Sequence, residues 1–120
     1  MTYRVIVTGS REWSDKDKVC ADILALYDIH GDDLVIVHGK CPTGADSIAE
    51  EFCDELNITQ EKYPANWNRY GNAAGPIRNR KMVSLGADVV LAYPLGKSSG
   101  TRGCMELAEA AGIEVLDRSA

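Results

Sequence analysis

The chain has 120 residues, enough for a domain with its own hydrophobic core, and we expect residues 1–120 to form a single domain. Its formal net charge of −5 argues against nucleic acid as a partner, because nucleic-acid-binding domains usually carry a basic surface. No apolar stretch reaches the roughly 18 residues of a membrane span and the first residues show no signal-peptide pattern, so we expect a cytoplasmic protein with no membrane contact. The four cysteines lack C-x-x-C spacing, which favours free thiols in a reducing compartment.

The first predicted strand, residues 3–7, is followed by the loop sequence TGSREW. The strand is rich in β-branched residues, as is typical of a strand covered on both faces. In the loop, Gly9 offers room for a ligand next to the backbone, while Ser10 and Arg11 offer hydrogen-bond donors to an anion. Trp13 is a candidate for stacking on a nucleobase. The alternative interpretation is a tight turn with a salt-bridged arginine and a packed tryptophan.

Residues 14–17 (SDKD) resemble a capping box with Ser14 as the N-cap, and they predict a helix that leads to the second strand, residues 34–37. The loop after this strand, HGKCPTG, is not a Walker A phosphate loop, because Ala-Asp follows its last glycine. It still brings backbone N–H groups to a helix N-terminus, which is an anion site. The candidate ligand-binding residues of this loop are Gly39, Lys40 and Thr43.

The helix that starts at this loop has the clearest amphipathic stripe in the chain. Its first residues, TGAD, have the signature of a helix N-cap. Asp46 has two interpretations: it is a capping acid only, or it also orients a ribose hydroxyl or Lys40. His38, at the end of the second strand, is either a packed and hydrogen-bonded residue or an acid–base group.

The third predicted strand, residues 58–63, carries charged side chains and is therefore expected near an edge of the sheet. Residues 64–75 show no periodicity, and an aperiodic segment of this length in a small domain is usually functional. Pro76 is predicted to open the next helix, which places Arg78 and Arg80 in the first turn, where cations oppose the helix dipole. The compensating charge is either a carboxylate of the chain or a ligand phosphate. The candidate ligand-binding residues of this helix are Arg78 and Asn79.

The fourth predicted strand, residues 88–92, leads into the loop sequence PLGKSSGTRG, the strongest phosphate-binding signal in the chain. Glycines, hydroxyl side chains and two cations stand here before a helix N-terminus, whose N–H groups favour an anion. The alternative is a solvated flexible loop. The candidate ligand-binding residues of this loop are Lys97, Ser98, Ser99, Gly100 and Thr101. Residues 113–116 are the fifth predicted strand.

Strands that alternate with helices predict an α/β fold with a five-stranded parallel sheet in the order 3-2-1-4-5 and helices on both faces. In such sheets ligands bind beyond the carboxyl ends of the strands, here at the switch point between strands one and four. We expect a composite pocket walled by residues 9–11, 39–43 and 97–101, with Arg78 reaching in from its helix. Neither of the two histidines lies in a cluster with metal-ligand spacing, so we expect no metal site.

Four strings together resemble the YspA-like, cpYpsA-related branch of the SLOG superfamily: VTGSREW, HGKCPTGADSIAEEF, PANWNRYGNAAGPIRNRKM and ADVVLAYPLGKSSGTRG. The resemblance covers nearly the whole chain and keeps the order and spacing of the motifs. It implies a compact Rossmann-like fold, related to DprA and to the LOG phosphoribohydrolases, and an origin in bacteria or phages. It also implies a nucleotide or nucleotide-derived ligand. The ligand would lie over Gly9-Ser10-Arg11, Gly39, Arg78-Asn79 and Gly100-Thr101.

The LOG hydrolases carry the motif P-G-G-x-G-T-x-x-E, and this chain departs from it at the final glutamate. The position three residues after Thr101 is Cys104, and Glu106 follows two residues later. The hydrolytic acid of those relatives is therefore absent from its place, which leaves open whether the chain is an enzyme. The candidate replacement acids are Glu12, Asp46 and Glu106.

Three functions compete. The favoured one is a module that binds a phosphorylated nucleoside or an ADP-ribose-type molecule, as a sensor or a sequestering protein, without a cofactor. The alternative is a nucleoside 5′-monophosphate phosphoribohydrolase. Single-stranded DNA binding, by analogy with DprA, is disfavoured by the net charge of −5. Because so small a domain has limited room to enclose a nucleotide, we expect a homodimer with Trp67 and Tyr70 at the interface or over the site.

Overall fold

The computed structural model describes residues 1–119 and shows an α/β fold built on one parallel sheet. The strands of this described part are Tyr3–Gly9 (β1), Leu34–His38 (β2), Thr59–Lys62 (β3), Val89–Tyr93 (β4) and Glu114–Asp117 (β5). Their order is β3-β2-β1-β4-β5, and every pairing between neighbours is parallel. The predicted strand order is therefore confirmed, with β1 at the centre and the charged β3 at an edge.

Helices cover both faces of this sheet, as predicted. The α-helices of residues 1–119 are Lys16–His30 (α1), Ala45–Leu56 (α2), Trp67–Tyr70 (α3), Ala74–Ser84 (α4) and Ser99–Ala110 (α5). Helices α1 and α2 pack on one face, and α4 and α5 pack on the other. The segment without periodicity contains α3, which is a single turn, and a 3₁₀ turn that leads into α4. Within residues 1–119, no helix is long and apolar enough to cross a membrane.

The centre of the sheet is fully covered because successive residues of β1 point to opposite apolar layers. Val5 and Val7 join the layer under α1 and α2, and Ile6 joins the layer under α4 and α5. None of the three has exposed surface. The neighbouring strands β2 and β4 are buried along their whole length, whereas the edge strands β3 and β5 are half-buried or exposed. The most rigidly packed strands are therefore those whose carboxyl ends carry the candidate loops.

The caps of the first two long helices differ from the predicted ones. Helix α1 is capped by Asp15, whose carboxylate accepts the N–H of Lys18 at 3.2 Å, and not by Ser14. Helix α2 has Gly44 at its N-cap and no side chain that caps it. Asp46 is therefore not a capping acid, because its carboxylate reaches back to the preceding loop instead.

Helix α4 begins earlier than predicted. It starts at Ala74, so Pro76 lies inside the first turn, where a missing N–H breaks no hydrogen bond. Arg78 consequently lies in the second turn, and not in the first turn as predicted. The helix dipole acts mainly on charges in the first turn, so it does not require a compensating anion beside Arg78. Helix α5 likewise begins at Ser99, so that Gly100 and Thr101 belong to its first turn rather than to a flexible loop.

Candidate functional site

A cavity of about 720 Å³ opens at the carboxyl ends of β1 and β4. The chain builds the sheet outward from β1 in one direction, through β2 and β3, and then in the other, through β4 and β5. The cavity thus lies at the switch point of the sheet, where ligands bind in open α/β folds. Its volume lies within the range of small-molecule sites, about 300–1,000 Å³.

Most of the predicted ligand-binding residues line this cavity, and four do not. Those in its walls are Gly9, Ser10, Arg11, Asp46, Arg78, Asn79, Lys97, Ser98, Ser99, Gly100 and Thr101. Those outside its walls are Trp13, Gly39, Lys40 and Thr43. The loops after β1 and β4 were therefore located well from the sequence, whereas the loop after β2 contributes a different residue, Cys41.

Trp13 belongs to the core and not to the cavity. Its side chain is buried, and its indole N–H donates to the carbonyl of Asp15 at 3.0 Å. Its ring packs against Tyr93 with the centroids 5.2 Å apart. In this position it has no free face toward a nucleobase, so the structure supports the packed interpretation of this tryptophan.

The predicted ligand-binding residues of the loop after β2 face away from the cavity, although Cys41 of the same loop lines it. Gly39 is buried, and the ammonium of Lys40 lies 2.8 Å from the carboxylate of Glu50. Thr43 is exposed. The anion site predicted at the start of α2 is also partly occupied by the protein itself, because the N–H of Ala45 donates to the carbonyl of Ser10 at 3.3 Å.

Two glycines let the loop after β1 lie directly against the start of α2. A side chain at Gly9 would meet the Cβ atoms of Ala45 and Tyr93. A side chain at Gly44, which has φ 81°, would collide with the backbone of Ser10 and Arg11. Gly9 therefore allows close packing between β1, β4 and α2, and because it also lies in the cavity wall, its contact with a ligand stays a prediction.

Lys97 and the start of α5 form a cationic part of the cavity wall. Lys97 is exposed and directly precedes this helix, whereas Arg11, the other exposed cation of the wall, lies against the start of α2. The first N–H groups of α5, from Ser99 onward, have no acceptor within the helix. Ser98 ends the preceding loop with a φ of 38°, and its hydroxyl accepts the N–H of Leu95 at 2.9 Å. A helix N-terminus beside a lysine is suited to a phosphate group.

Asp46 lies in the wall on the side of α2, and one of its two carboxylate oxygens has no partner. Its Oδ2 accepts the N–H groups of Gly39 at 3.1 Å and Cys41 at 3.4 Å. Its Oδ1 is buried and accepts no hydrogen bond from any described residue. The residue is only 5% exposed, and this burial raises the pKa of the carboxyl above its usual value despite the opposing effects of His38, Cys41 and Arg78.

The Arg78 side chain forms hydrogen bonds to several of the segments around the cavity. Its Nη1 donates to the carbonyl of Gly39 at 2.8 Å, and its Nε donates to the side-chain oxygen of Asn79 at 2.7 Å. A longer contact of 3.4 Å joins Nη1 to the carbonyl of Tyr63. Asn79 in turn donates to the carbonyl of Gly100 at 3.2 Å. Oxygen atoms of the protein therefore accept hydrogen bonds from the Arg78 guanidinium. The sequence had suggested a phosphate or a carboxylate as the partner of this cation.

His38 is a packed residue outside the cavity wall. It has no exposed surface, and its Nδ1 accepts the N–H of Lys40 at 3.0 Å. The proton therefore sits on Nε2, which lies 3.0 Å from the side-chain oxygen of Gln60. With both ring nitrogens engaged in the protein, the acid–base interpretation of this histidine has no support.

Two of the three candidate acids reach the cavity. Glu12 and Asp46 lie in its wall, whereas Glu106 is exposed and lies outside it. Cys104, which occupies the place of the LOG glutamate, is fully buried in the layer under α4 and α5. Burial raises the pKa of the Cys104 thiol to about 11, so this side chain is a neutral core residue. Within residues 1–119, no group of three or more His, Cys, Asp or Glu side chains is placed to hold a metal ion.

The sequence analysis missed several residues of the wall. Cys41 follows two predicted residues in the loop after β2, and burial raises its thiol pKa. Thr8, Met82 and Leu95 also line the cavity. Met82 lies one helical turn after Arg78, which is a signal available from the sequence once a helix is assigned. The others depend on the path of the loops and carry no comparable signal.

Comparison with known proteins agrees with this architecture. The family model described as the YspA, cpYpsA-related SLOG family matches residues 3–70. The Gene 61 protein of Mycobacterium phage D29 is 46% identical over an alignment of 121 residues. The alignment covers 95% of this chain and 94% of that protein.

Solved structures of low sequence identity share the fold. The Moco carrier protein from Chlamydomonas reinhardtii superposes with a TM-score of 0.64 at 14% identity, over 98% of this chain and 76% of that one. The C-terminal domain of the PF1911 hydrogenase from Pyrococcus furiosus superposes with a TM-score of 0.57 at 13% identity, over 96% and 89% of the two chains. At these identities the likeness concerns the fold alone.

Proposed function

The chain belongs to the YspA, cpYpsA-related SLOG family, and we propose that it binds a phosphorylated nucleoside or an ADP-ribose-type molecule as a sensor or sequestering module. The observation that carries the proposal is the cavity at the switch point of the sheet, with a cationic part of its wall at Lys97 and the start of α5. A family resemblance alone does not identify a ligand, so the argument depends on the chemistry of this cavity.

The phosphate of the ligand is placed at this cationic part of the wall. Lys97 supplies positive charge there, and the first N–H groups of α5 supply donors that the helix itself leaves unpaired. Charge-assisted hydrogen bonds of this kind are about twice as strong as neutral ones. The formal charge of the whole chain is −5, so this local cluster, and not the overall field, attracts the anion.

The nucleobase is placed at the mouth of the cavity, against Trp67. This side chain lies in the cavity wall and is 47% exposed, and the guanidinium of Arg11 lies 5.3 Å from its ring centroid. A partly exposed aromatic ring offers a face on which a base can stack. The chain has two tryptophans. Trp13, which the sequence suggested for base stacking, is buried, so we assign the stacking role to Trp67.

The ligand is bound without being cleaved. Cys104 is buried and neutral at the position of the hydrolytic glutamate, and Glu106 is outside the cavity. General acid–base help contributes about 10²–10⁴ in rate, so its loss leaves turnover very slow. The Chlamydomonas protein of similar fold is named as a carrier, a role that also requires binding without turnover.

A phosphoribohydrolase remains the second candidate, because Glu12 and Asp46 both lie in the cavity wall. A buried carboxyl with a raised pKa is typical of functional sites, and Asp46 has this property. In this second function a displaced carboxylate would replace the missing glutamate as the catalytic acid.

Two further proposals concern the protein as a whole. A homodimer is supported by two exposed aromatic side chains of the single-turn helix α3, Trp67 (47%) in the cavity wall and Tyr70 (39%). A cytoplasmic location is supported by the free thiols of Cys20, Cys41, Cys53 and Cys104, which are typical of a reducing compartment. Sedimentation with and without AMP tests the first: a monomer that retains full ligand affinity would exclude an obligatory dimer.

The central experiment is calorimetric titration of the protein with AMP and with ADP-ribose, followed by chromatography of the mixture for free base. We expect binding without release of base. Lys97→Ala is expected to weaken binding about two- to tenfold, since it removes one exposed charged donor. Arg80→Ala removes an exposed cation outside the cavity wall and serves as the matched control. No heat of binding with either ligand would refute the proposal, and steady release of base that stops in Glu12→Gln or Asp46→Asn would establish the hydrolase instead.

A further inference from the structure

The buried Oδ1 atom of Asp46 is the one carboxylate oxygen in the described chain that is both enclosed and without a hydrogen-bond partner. Its companion Oδ2 is held by the N–H groups of Gly39 and Cys41, which fix the orientation of the carboxyl. The side chain is 95% buried and lies in the wall of the cavity. Buried polar atoms in native proteins are almost always paired, so an exception in a cavity wall indicates a missing partner from outside the chain.

The strong donors that surround Asp46 are engaged elsewhere. The His38 imidazole from β2 has both nitrogens in other hydrogen bonds, and the Arg78 guanidinium from α4 donates to Gly39 and Asn79. The Cys41 thiol, in the loop before α2, interacts with the Asp46 carboxyl, and the Cys104 thiol on α5 faces the same region, but an S–H group is only a weak donor. An ionised carboxylate oxygen only accepts hydrogen bonds, so the absent partner is a donor.

The position of Asp46 decides which part of the ligand supplies the donor. Asp46 lies beside the end of β2, whereas Lys97 and the start of α5, the proposed phosphate-binding groups, follow the end of β4. Since β2 and β4 are both neighbours of β1, their ends are about 10 Å apart, which is more than a single phosphate group spans. A phosphate next to Asp46 is also disfavoured by the repulsion between like charges. The base is placed at the exposed mouth, which leaves the sugar for the buried wall.

We propose that Oδ1 of Asp46 accepts a hydrogen bond from a ribose hydroxyl of the bound ligand, and that Asp46 thereby discriminates against nucleotides that lack this hydroxyl. The inference rests on the proposed function, because it presumes a phosphorylated nucleoside in this cavity. It adds a specificity-determining contact that neither the family match nor the phosphate-binding loops provide. A ligand without the hydroxyl leaves the carboxylate oxygen buried and unpaired, and such a site discriminates strongly.

The test compares the binding of AMP, 2′-deoxy-AMP and 3′-deoxy-AMP to the unmodified protein by calorimetry. We expect at least one deoxynucleotide to bind about tenfold or more weakly than AMP, because it lacks the hydroxyl that Asp46 accepts. Equal affinity for all three nucleotides would overturn the inference while leaving the proposed function intact. Failure of AMP and of ADP-ribose to bind at all would refute the proposed function and this inference together.

Two variants complete the test. In Asp46→Ala both carboxylate oxygens are removed, so no side chain at this position can hydrogen-bond the ligand hydroxyl. We expect this variant to lose the preference for AMP while it still binds the deoxynucleotide. Glu51→Gln, on the exposed side of the same helix, is expected to keep the full preference. An Asp46→Ala protein that melts cooperatively and still prefers AMP would disprove the role of this carboxylate.

Discussion

Replacement of Arg78 by alanine tests how the walls of the cavity are held together. The guanidinium joins three parts of the chain: the loop after β2 through the carbonyl of Gly39, the end of β3 through Tyr63, and α4 through Asn79. Gly39 is buried, so in the variant its carbonyl loses a charged donor in a place that water does not reach freely. Destabilisation of the whole fold is therefore expected, and not only a local loosening.

The magnitude follows from the two short bonds, of 2.8 Å to Gly39 and 2.7 Å to Asn79. A hydrogen bond to a charged group contributes about 1.5–3 kcal/mol. Because the two bonds share one half-buried side chain, their contributions do not add fully. We expect Arg78→Ala to lower the free energy of unfolding by about 2–3 kcal/mol. Arg78→Lys keeps the charge but lacks the planar set of donors, and is expected to restore about half of that loss.

Urea unfolding followed by circular dichroism measures this difference. With a denaturant slope of about 2 kcal/mol per M, the midpoint of Arg78→Ala should fall by about 1 M or more. Arg80→Ala is the control, since Arg80 is an exposed arginine of the same helix and its loss should change stability by less than about 0.5 kcal/mol. The folded Arg78→Ala protein should also bind AMP more weakly, because Arg78 lies in the cavity wall and orients Gly39 and Asn79. Equal midpoints for the two alanine variants would refute this account of the cavity.

Gly44→Ala should lower the free energy of unfolding by about 3 kcal/mol in urea unfolding, because a side chain at φ 81° is strained and also collides with the loop after β1. Gly112→Ala is the control: its φ of 77° is similar but the space around it is open, so the loss should be only about 1–2 kcal/mol. Burial raises the pKa of Asp46 in the folded state, so its charge destabilises the fold increasingly as the pH rises above the unfolded value near 3.8. Asp46→Asn should therefore gain stability relative to the unmodified protein between pH 3.5 and pH 7, and a constant difference across that range would contradict the assignment. Lys40 and Lys62 lower the pKa of Glu50 from 4.5 to about 2, so the stability from this cluster is present above pH 4.5 and is lost as the pH falls toward 2. Glu50→Gln should flatten the acid limb of a stability–pH curve, modestly because solvent screens these half-exposed lysines, and an unchanged limb would show that the ion pairs contribute nothing.

The sheet was predictable because its strands are physically distinctive in the sequence. The central strands are short runs of β-branched residues, as parallel strands covered on both faces must be. The charged residues of β3 identified it as an edge strand, and glycine-bearing loops marked the carboxyl ends. Given alternating strands and helices, right-handed crossovers leave few possible orders. The strand order and the position of the loops therefore sufficed to predict that the cavity lies at the carboxyl ends of β1 and β4.

The details of the site were less predictable because they depend on contacts between residues far apart in the chain. Trp13 stands in a loop of apparent ligand-binding character, yet Tyr93 and the carbonyl of Asp15 hold it in the core. The partners of Arg78 are backbone carbonyls, which every residue has, so no residue type in the sequence marks them. Whether Asp46 caps its helix or faces a cavity depends on the path of the loop before it.

The pairing of β1 with β4 also has a consequence for the order in which the protein assembles. Val5 pairs with Ile36 on one side and with Val89 on the other, so one edge of the central strand stays open until the last third of the chain arrives. Contacts of such large sequence separation form late, because closing the long intervening segment is entropically costly. A nascent or truncated chain that stops before β4 thus exposes an unpaired apolar strand edge, which is a template for aggregation. The same docking of β4 brings together the two strand ends at which the cavity opens, so the cavity and the protection from aggregation arise in a single step.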